Sequence, residues 1–278
     1  MFQIAKSLIL QASVITVFLS ISVGLTAQAA NFTDADQLFK RRAESSAVIA
    51  DGRNHYLSQL PSATNEEFSY AVEQVARLDA YEGLKLIDTE PSQRQQVFSR
   101  CLTDLDNYNV QQRGPAAFFY YWKSVCLAQW ARANGVLESL FRTNELFGYL
   151  DSGEAIDRTY EGGGFARIRG AALAKLPPIN PFGPRQDLNR SKQLLESSIA
   201  SPAWGGSHTP EWDTGDYYYS TYFYLAETLV AMNRQADALQ VINDAMARID
   251  AGDIPAAREP EELLSREYMR QLKERINQ

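Results

Sequence analysis

Residues 217–249 read YYYSTYFYLAETLVAMNRQADALQVINDAMARI, and this stretch decides the fold. Tyr222, Leu225, Ala226 and Leu229 recur at spacings of three and four, which a helix gathers onto one face. Met232-Asn233-Arg234 makes a turn, and Ala238, Ile242 and Ala245 then share one face of a second helix. Small Ala238 and Ala245 let the two helices approach closely. The spacing therefore predicts an antiparallel helix pair.

The same period runs through the rest of the chain, broken at Gly, Pro and Asn. Asp34 to Leu60 reads as largely helical with a polar turn near Asp51-Gly52. Asn65, followed by Glu66 and Glu67, caps the next helix, because acids in a first turn complement the helix dipole. Pro91 opens a helix through Val97, Cys101 and Leu105, and Gly114-Pro115 precedes an aromatic one from Phe118 to Trp130. Another runs from Val136 to about Leu150. A further one begins at Phe165, after Gly162-Gly163-Gly164, and stops at Pro177-Pro178. The last four cover 187–199, 217–232, 235–249 and 260–276. With strand signals nearly absent, the expectation is an all-α fold of stacked antiparallel helix pairs in a single domain over residues 30–278.

Residues 1–29 read as a secretory signal peptide. Lys6 is the only charge before Asp34, Ser7 to Thr26 is uncharged and rich in Leu, Ile and Val, and Ala27-Gln28-Ala29 has the small-x-small pattern of a cleavage site. The competing reading is an uncleaved N-terminal anchor, which Gln11, Ser13, Thr16, Ser20 and Ser22 weaken. No cysteine follows the apolar stretch to carry a lipid. Cleavage removes one positive charge and no acid, so the chain goes from −7 to −8. An acidic chain without a basic patch does not suit nucleic acid. Export makes Cys101 and Cys126 disulfide candidates, with two separate buried thiols as the alternative.

The pair in 217–249 resembles a tetratricopeptide repeat, with Ala226 and Asn233 standing where glycine is favoured. Phe165 to Leu176 with Asp187 to Ile199 is a looser copy, carrying Arg167 and Gly170 on its first helix. With Gly114-Pro115, Asn134-Gly135, Tyr160-Glu161-Gly162-Gly163-Gly164, Arg167-x-x-Gly170 and Pro177-Pro178, residues 34–250 resemble the T component of tripartite ATP-independent periplasmic transporters. That resemblance implies a periplasmic protein partnering the solute-binding component of a transporter. This chain departs from it in lacking a lipidation cysteine and in the insertion from Trp204 to Trp212.

Candidate sites are few. Gly162-Gly163-Gly164 could cradle a phosphate at a helix start, but no strand precedes it and no Gly-Lys-Ser/Thr follows, so a turn allowing close helix approach is the better reading. Arg167, too near its helix start to gain from the dipole, is either held by an acidic neighbour or faces an anionic ligand; the ion pair is favoured. Tyr120, Tyr121 and Trp122 read as core, or as the lining of an internal channel. Trp212, Tyr217 and Tyr219 are candidate partner contacts, with Tyr217 pointing away from the packed face, Tyr219 on its flank and Tyr218 inward. His55 and His208 lack partners for a metal site, no nucleophile elbow exists, and Glu261-Glu262 reads as a dipole complement. No cofactor and no catalysis are expected. Two functions remain, a scaffold for a solute-binding protein or a carrier of a small apolar or organic-acid ligand, and self-association is open. A scaffold should expose an aromatic patch over a filled interior. A carrier should enclose a mostly apolar cavity.

Overall fold

The computed structural model describes residues 30–86, 91–107, 116–201, 218–254 and 258–278. The signal-peptide reading, Gly114-Pro115, His208, Trp212 and Tyr217 lie outside these residues. Among the described residues the chain is all helical, without strands, in one domain. The helices are α1 (Thr33–Lys40), α2 (Ser46–Gln59), α3 (Asn65–Lys85), α4 (Pro91–Asn107), α5 (Ala117–Asn134) and α6 (Val136–Phe141). They continue as α7 (Thr143–Ile156), α8 (Tyr160–Lys175), α9 (Leu188–Ile199), α10 (Tyr219–Ala231), α11 (Gln235–Asp250) and α12 (Glu259–Ile276). None is long and apolar enough to cross a membrane.

Consecutive helices pack on one another, and three apolar clusters follow the chain. Ile49, Tyr56, Val75 and Leu78 join α1, α2 and α3. Phe98, Leu105, Phe119, Leu127, Leu150 and Phe165 join α3, α4, α5, α7 and α8. Leu195, Leu225, Ala238, Ile242, Ala245 and Met269 join α9 to α12. The helix pair read from 217–249 is α10 and α11, and Ala226, Ala238 and Ala245 are fully buried between them. At the turn Asn233 adopts φ 59°, a left-handed conformation that Asn tolerates better than most residues. Cys101 and Cys126 form a disulfide between α4 and α5, with Cα atoms 6.2 Å apart, settling the open alternative.

Several boundaries differ from the sequence expectation for local reasons. The first break falls at 41–45, where Ser45 Oγ caps α2 by accepting from Val48 N at 3.2 Å. Gly52 lies inside α2, buried, where a Cβ would sit 3.3 Å from that of Leu38. Thr64, not Asn65, caps α3: its hydroxyl and the Glu67 carboxylate exchange bonds with each other's backbone N–H in a capping box. The helix expected from Val136 to Leu150 breaks at Arg142, where the Thr143 hydroxyl donates to Leu140 O at 2.9 Å.

The glycine run precedes the right-handed part of its helix, as expected: within the span of α8, Glu161, Gly162 and Gly163 take φ values of 53°, 57° and 74°, and the right-handed helix follows them. Glycine carries this conformation at little cost, whereas Glu161 is strained in it. The reading of close approach holds, since a Cβ on Gly164 would lie 2.4 Å from Tyr121 Cε2. Further along α8, Gly170 meets α9: Ser191 Oγ donates to Gly170 O at 2.8 Å, and a Cβ there would lie 2.8 Å from Leu195 Cγ.

Candidate functional site

The left-handed segment at the start of α8 turns the Glu161 side chain into the protein, where it is 2 % exposed. Its carboxylate accepts from Arg77 Nη2 of α3 and from the Tyr218 hydroxyl just before α10, and Arg258 Nη1 lies 3.7 Å away. Arg77 also bonds Glu73 at 3.0 Å, and Glu73 accepts from the Tyr160 hydroxyl at 2.6 Å. Burial alone would raise the pKa of Glu161. Arg77, Arg258 and the Tyr218 hydroxyl outweigh it and hold the carboxyl below its ordinary range.

Arg167 sits one turn along α8 and is 4 % exposed. Its Nη2 donates to the Tyr121 hydroxyl at 2.9 Å and to the backbone carbonyl of Glu161 at 3.0 Å, while Nη1 has no hydrogen-bond partner. The ion pair favoured for it from sequence is therefore replaced by neutral acceptors, because the Glu161 carboxylate is occupied by Arg77, Tyr218 and Arg258. Its guanidinium carbon lies 3.9 Å from the Tyr218 ring centre, and that of Arg258 lies 3.5 Å from the same ring. Two guanidiniums stack on one tyrosine.

Arg258 donates to Glu262 one helical turn later, at 2.6 Å. Glu262 is 1 % exposed; burial raises its pKa above the ordinary carboxylate value, against the pull of Arg258. Arg42 reaches from the end of α1 to Glu261, with Nε at 2.8 Å, and lies over the Phe39 ring. Glu261 and Glu262 do occupy the first turn of α12. Their side chains, however, are committed to two buried arginines rather than left facing solvent as dipole complements.

Arg77, Glu161, Arg167, Tyr218, Arg258 and Glu262 line one end of a chamber of about 500 Å³ between α3, α5, α8, α10 and α12. Away from the charged end its wall mixes apolar Val125, Leu146, Phe147, Ile168, Ala172 and Phe223 with Gln129, Arg132, Arg142 and Lys175. Near the end of α5 it reaches exposed Arg132 and Gly135, where solvent has access. Among the described residues, no group of three or more His, Cys, Asp and Glu is arranged to hold a metal ion. The geometry suits non-covalent retention of a molecule in a wall of mixed apolar and cationic character.

The sequence candidates divide. Arg167 and Tyr121 come together at the chamber, and Trp122 beside them lines it too, so these two aromatics are both core and lining. Tyr120 packs on Tyr149 instead. Tyr218 points inward as expected, 2 % exposed. Tyr219 does not sit on an exposed flank: it is fully buried and donates to Asp253 O at 2.6 Å. α10 is packed by α8, α9, α11 and α12, leaving that side no solvent to face. Pro177 lines the chamber near the end of α8, and its carbonyl accepts from Gln186 N at 3.0 Å. Sequence reasoning missed Arg42, Arg77 and Arg258 altogether. The available signal was the i,i+4 pairing of Glu73 with Arg77 and of Arg258 with Glu262 on mostly buried helix faces.

No protein-family model matches this chain, and no curated protein is significantly similar to it.

Proposed function

We propose that this protein is a non-enzymatic, exported helical-repeat carrier that retains a small ligand in its interior chamber and serves a transport system. The observation that carries this reading is the chamber itself, a 500 Å³ space in the size range of small-molecule sites. A protein acting only as a scaffold has no use for such a space, since packed interiors leave few voids larger than a water molecule. The signal-like first 29 residues support export to the periplasm. The repeat-like pair α10 and α11 supports kinship of architecture with tetratricopeptide proteins.

A test is titration with 1-aminoanthracene, a neutral apolar dye that brightens away from water. The wild type should bind one dye per chain. Ala172→Trp, which places an indole in the chamber, should abolish binding while the circular-dichroism spectrum stays helical. A wild type that leaves the dye dark would refute the carrier reading.

A second reading, docking of a solute-binding partner protein, rests on an exposed aromatic pair. The rings of Phe141 and Phe182 stack 4.5 Å apart, and Phe141 is 61 % exposed beside Leu140 and Arg142 of the chamber wall. Exposed stacked aromatics are of the residue type that anchors interfaces. Such a partner at the chamber's rim would receive what the chamber releases. Phe141→Ser should then weaken capture of the solute-binding protein from a periplasmic extract and leave dye binding intact.

A further inference from the structure

Buried donors without partners mark what the chamber lacks. Arg167 Nη1, Arg258 Nε and Trp122 Nε1 are all buried, have no hydrogen-bond partner and belong to residues lining the same end of the chamber. All three atoms can only donate. They are tied together through Tyr121 and Tyr218: Trp122 packs edge-on to Tyr121, Tyr121 bonds Arg167, and both arginines stack on Tyr218. At this end the three unpaired donors stand against one unpaired buried acceptor, Glu262 Oε2, and a surplus of donors is completed by acceptors.

Charge points the same way. Seven of the lining side chains are Arg or Lys and three are Glu, in a chain whose net charge is −7. Arg42, Arg77, Arg142, Lys175 and Arg258 each have a carboxylate partner. Arg167 has none within ion-pair distance among the described residues, although it is nine-tenths buried. An uncompensated buried charge is costly, so one negative charge is the missing component.

We propose that the ligand is an amphipathic monocarboxylate whose carboxylate is bound at Arg167 and Arg258 and whose apolar body lies along α5, α8 and α10. This rests on the chamber being a ligand site. Each arginine offers one unpaired donor, Arg167 Nη1 and Arg258 Nε, on opposite faces of the Tyr218 ring, and a carboxylate has two oxygens to accept them. Among the described residues Arg167 is the one buried lining cation without an ion-pair partner, and it sets a single negative charge. From Tyr121 to Arg132 the chamber follows twelve residues of α5, ~16 Å of helix. Between them Val125, Ala128, Ile168 and Phe223 offer no polar side-chain group, and Gln129 is the polar lining residue of α5 there, its Oε1 buried without a partner. Exposed Arg132, without an ion-pair partner among the described residues, stands at the far end where an incoming anion first meets the protein. The competing account is that ordered water alone satisfies the donors.

Calorimetric titration of the purified protein at neutral pH with octanoate, octanol and octylamine separates the accounts, because the three share one apolar body. Octanoate should bind about 10–100-fold more tightly than octanol, as expected for a hydrogen bond to a charged group, and octylamine should bind worst. Arg167→Gln should bring octanoate to the level of octanol and leave octanol unchanged. If that variant does not fold, the wild-type ranking decides by itself. Octanol equal to or better than octanoate overturns the proposal, as does unaltered octanoate affinity in a folded Arg167→Gln. Either result, with aminoanthracene still bound, leaves the carrier reading standing. Failure of all four probes removes both.

Discussion

Replacing Glu161 with Gln keeps the side chain's shape and removes its charge. In the wild type that charge faces Arg77 and Arg258, both buried, and accepts from Tyr218. Arg77 retains Glu73 and Arg258 retains Glu262, but each loses a counter-ion while its side chain stays nine-tenths buried. Removing one partner of a buried ion pair costs about 3–5 kcal/mol. For a domain of this size each kcal/mol shifts the melting temperature by about 2–4 °C, so the variant should melt roughly 6–20 °C lower at neutral pH. The deficit should depend on pH. Glu161 has its folded pKa held below the ordinary 4.5, so its stabilisation is present above that value and lost as pH falls through the folded one. Calorimetric melts of both proteins in a pH series should therefore converge in acid. Equal melting temperatures at neutral pH would refute the view that this carboxylate organises the arginines. So would a difference that grows in acid.

Glu262 should behave in the opposite sense. Burial raises its folded pKa above 4.5 despite Arg258, so its contribution is present in acid and lost as pH rises through the folded value. Melts of Glu262→Gln should gain on the wild type as the pH rises above about 4.5, and a loss on that rise would contradict the assignment. Ala238→Leu forces three extra carbons into a fully buried contact beside Leu225 and Ala226, so chemical denaturation should show a loss of about 1–3 kcal/mol. The Cys101–Cys126 bond is buried, so thiol labelling of denatured, unreduced protein should find no free cysteine. Replacing both cysteines with Ser should lower stability by about 2–4 kcal/mol in the same denaturation assay.

The period of three and four made the helices legible, because a helix that buries one face must repeat its apolar residues at that spacing. It served best in α11, which has one clear buried face at Ala238, Ile242, Ala245 and Ile249. It served worst in α10. There tyrosines fill several faces, and Tyr219 could be placed only by knowing that four helices surround it. The break at Arg142 depends on a threonine hydroxyl folding back onto carbonyls, an option no spacing reveals. The glycine run announced unusual backbone, yet it gave no sign that Glu161 would share the left-handed conformation and turn inward. Arg167 and Tyr121 were legible as candidates but not as neighbours, being 46 residues apart. Arg258, Glu261 and Glu262 reach the site only because α12 folds back beside α10, and that is a property of topology.

Native mass spectrometry of the protein isolated gently from the cells that make it tests the central claim most directly. A carrier whose chamber holds an amphipathic acid should emerge heavier than its polypeptide by the mass of one small molecule. That mass should disappear on denaturation and be recovered in the organic extract as an anion. A species at the bare polypeptide mass, from protein that also fails to bind octanoate or aminoanthracene, would contradict the account.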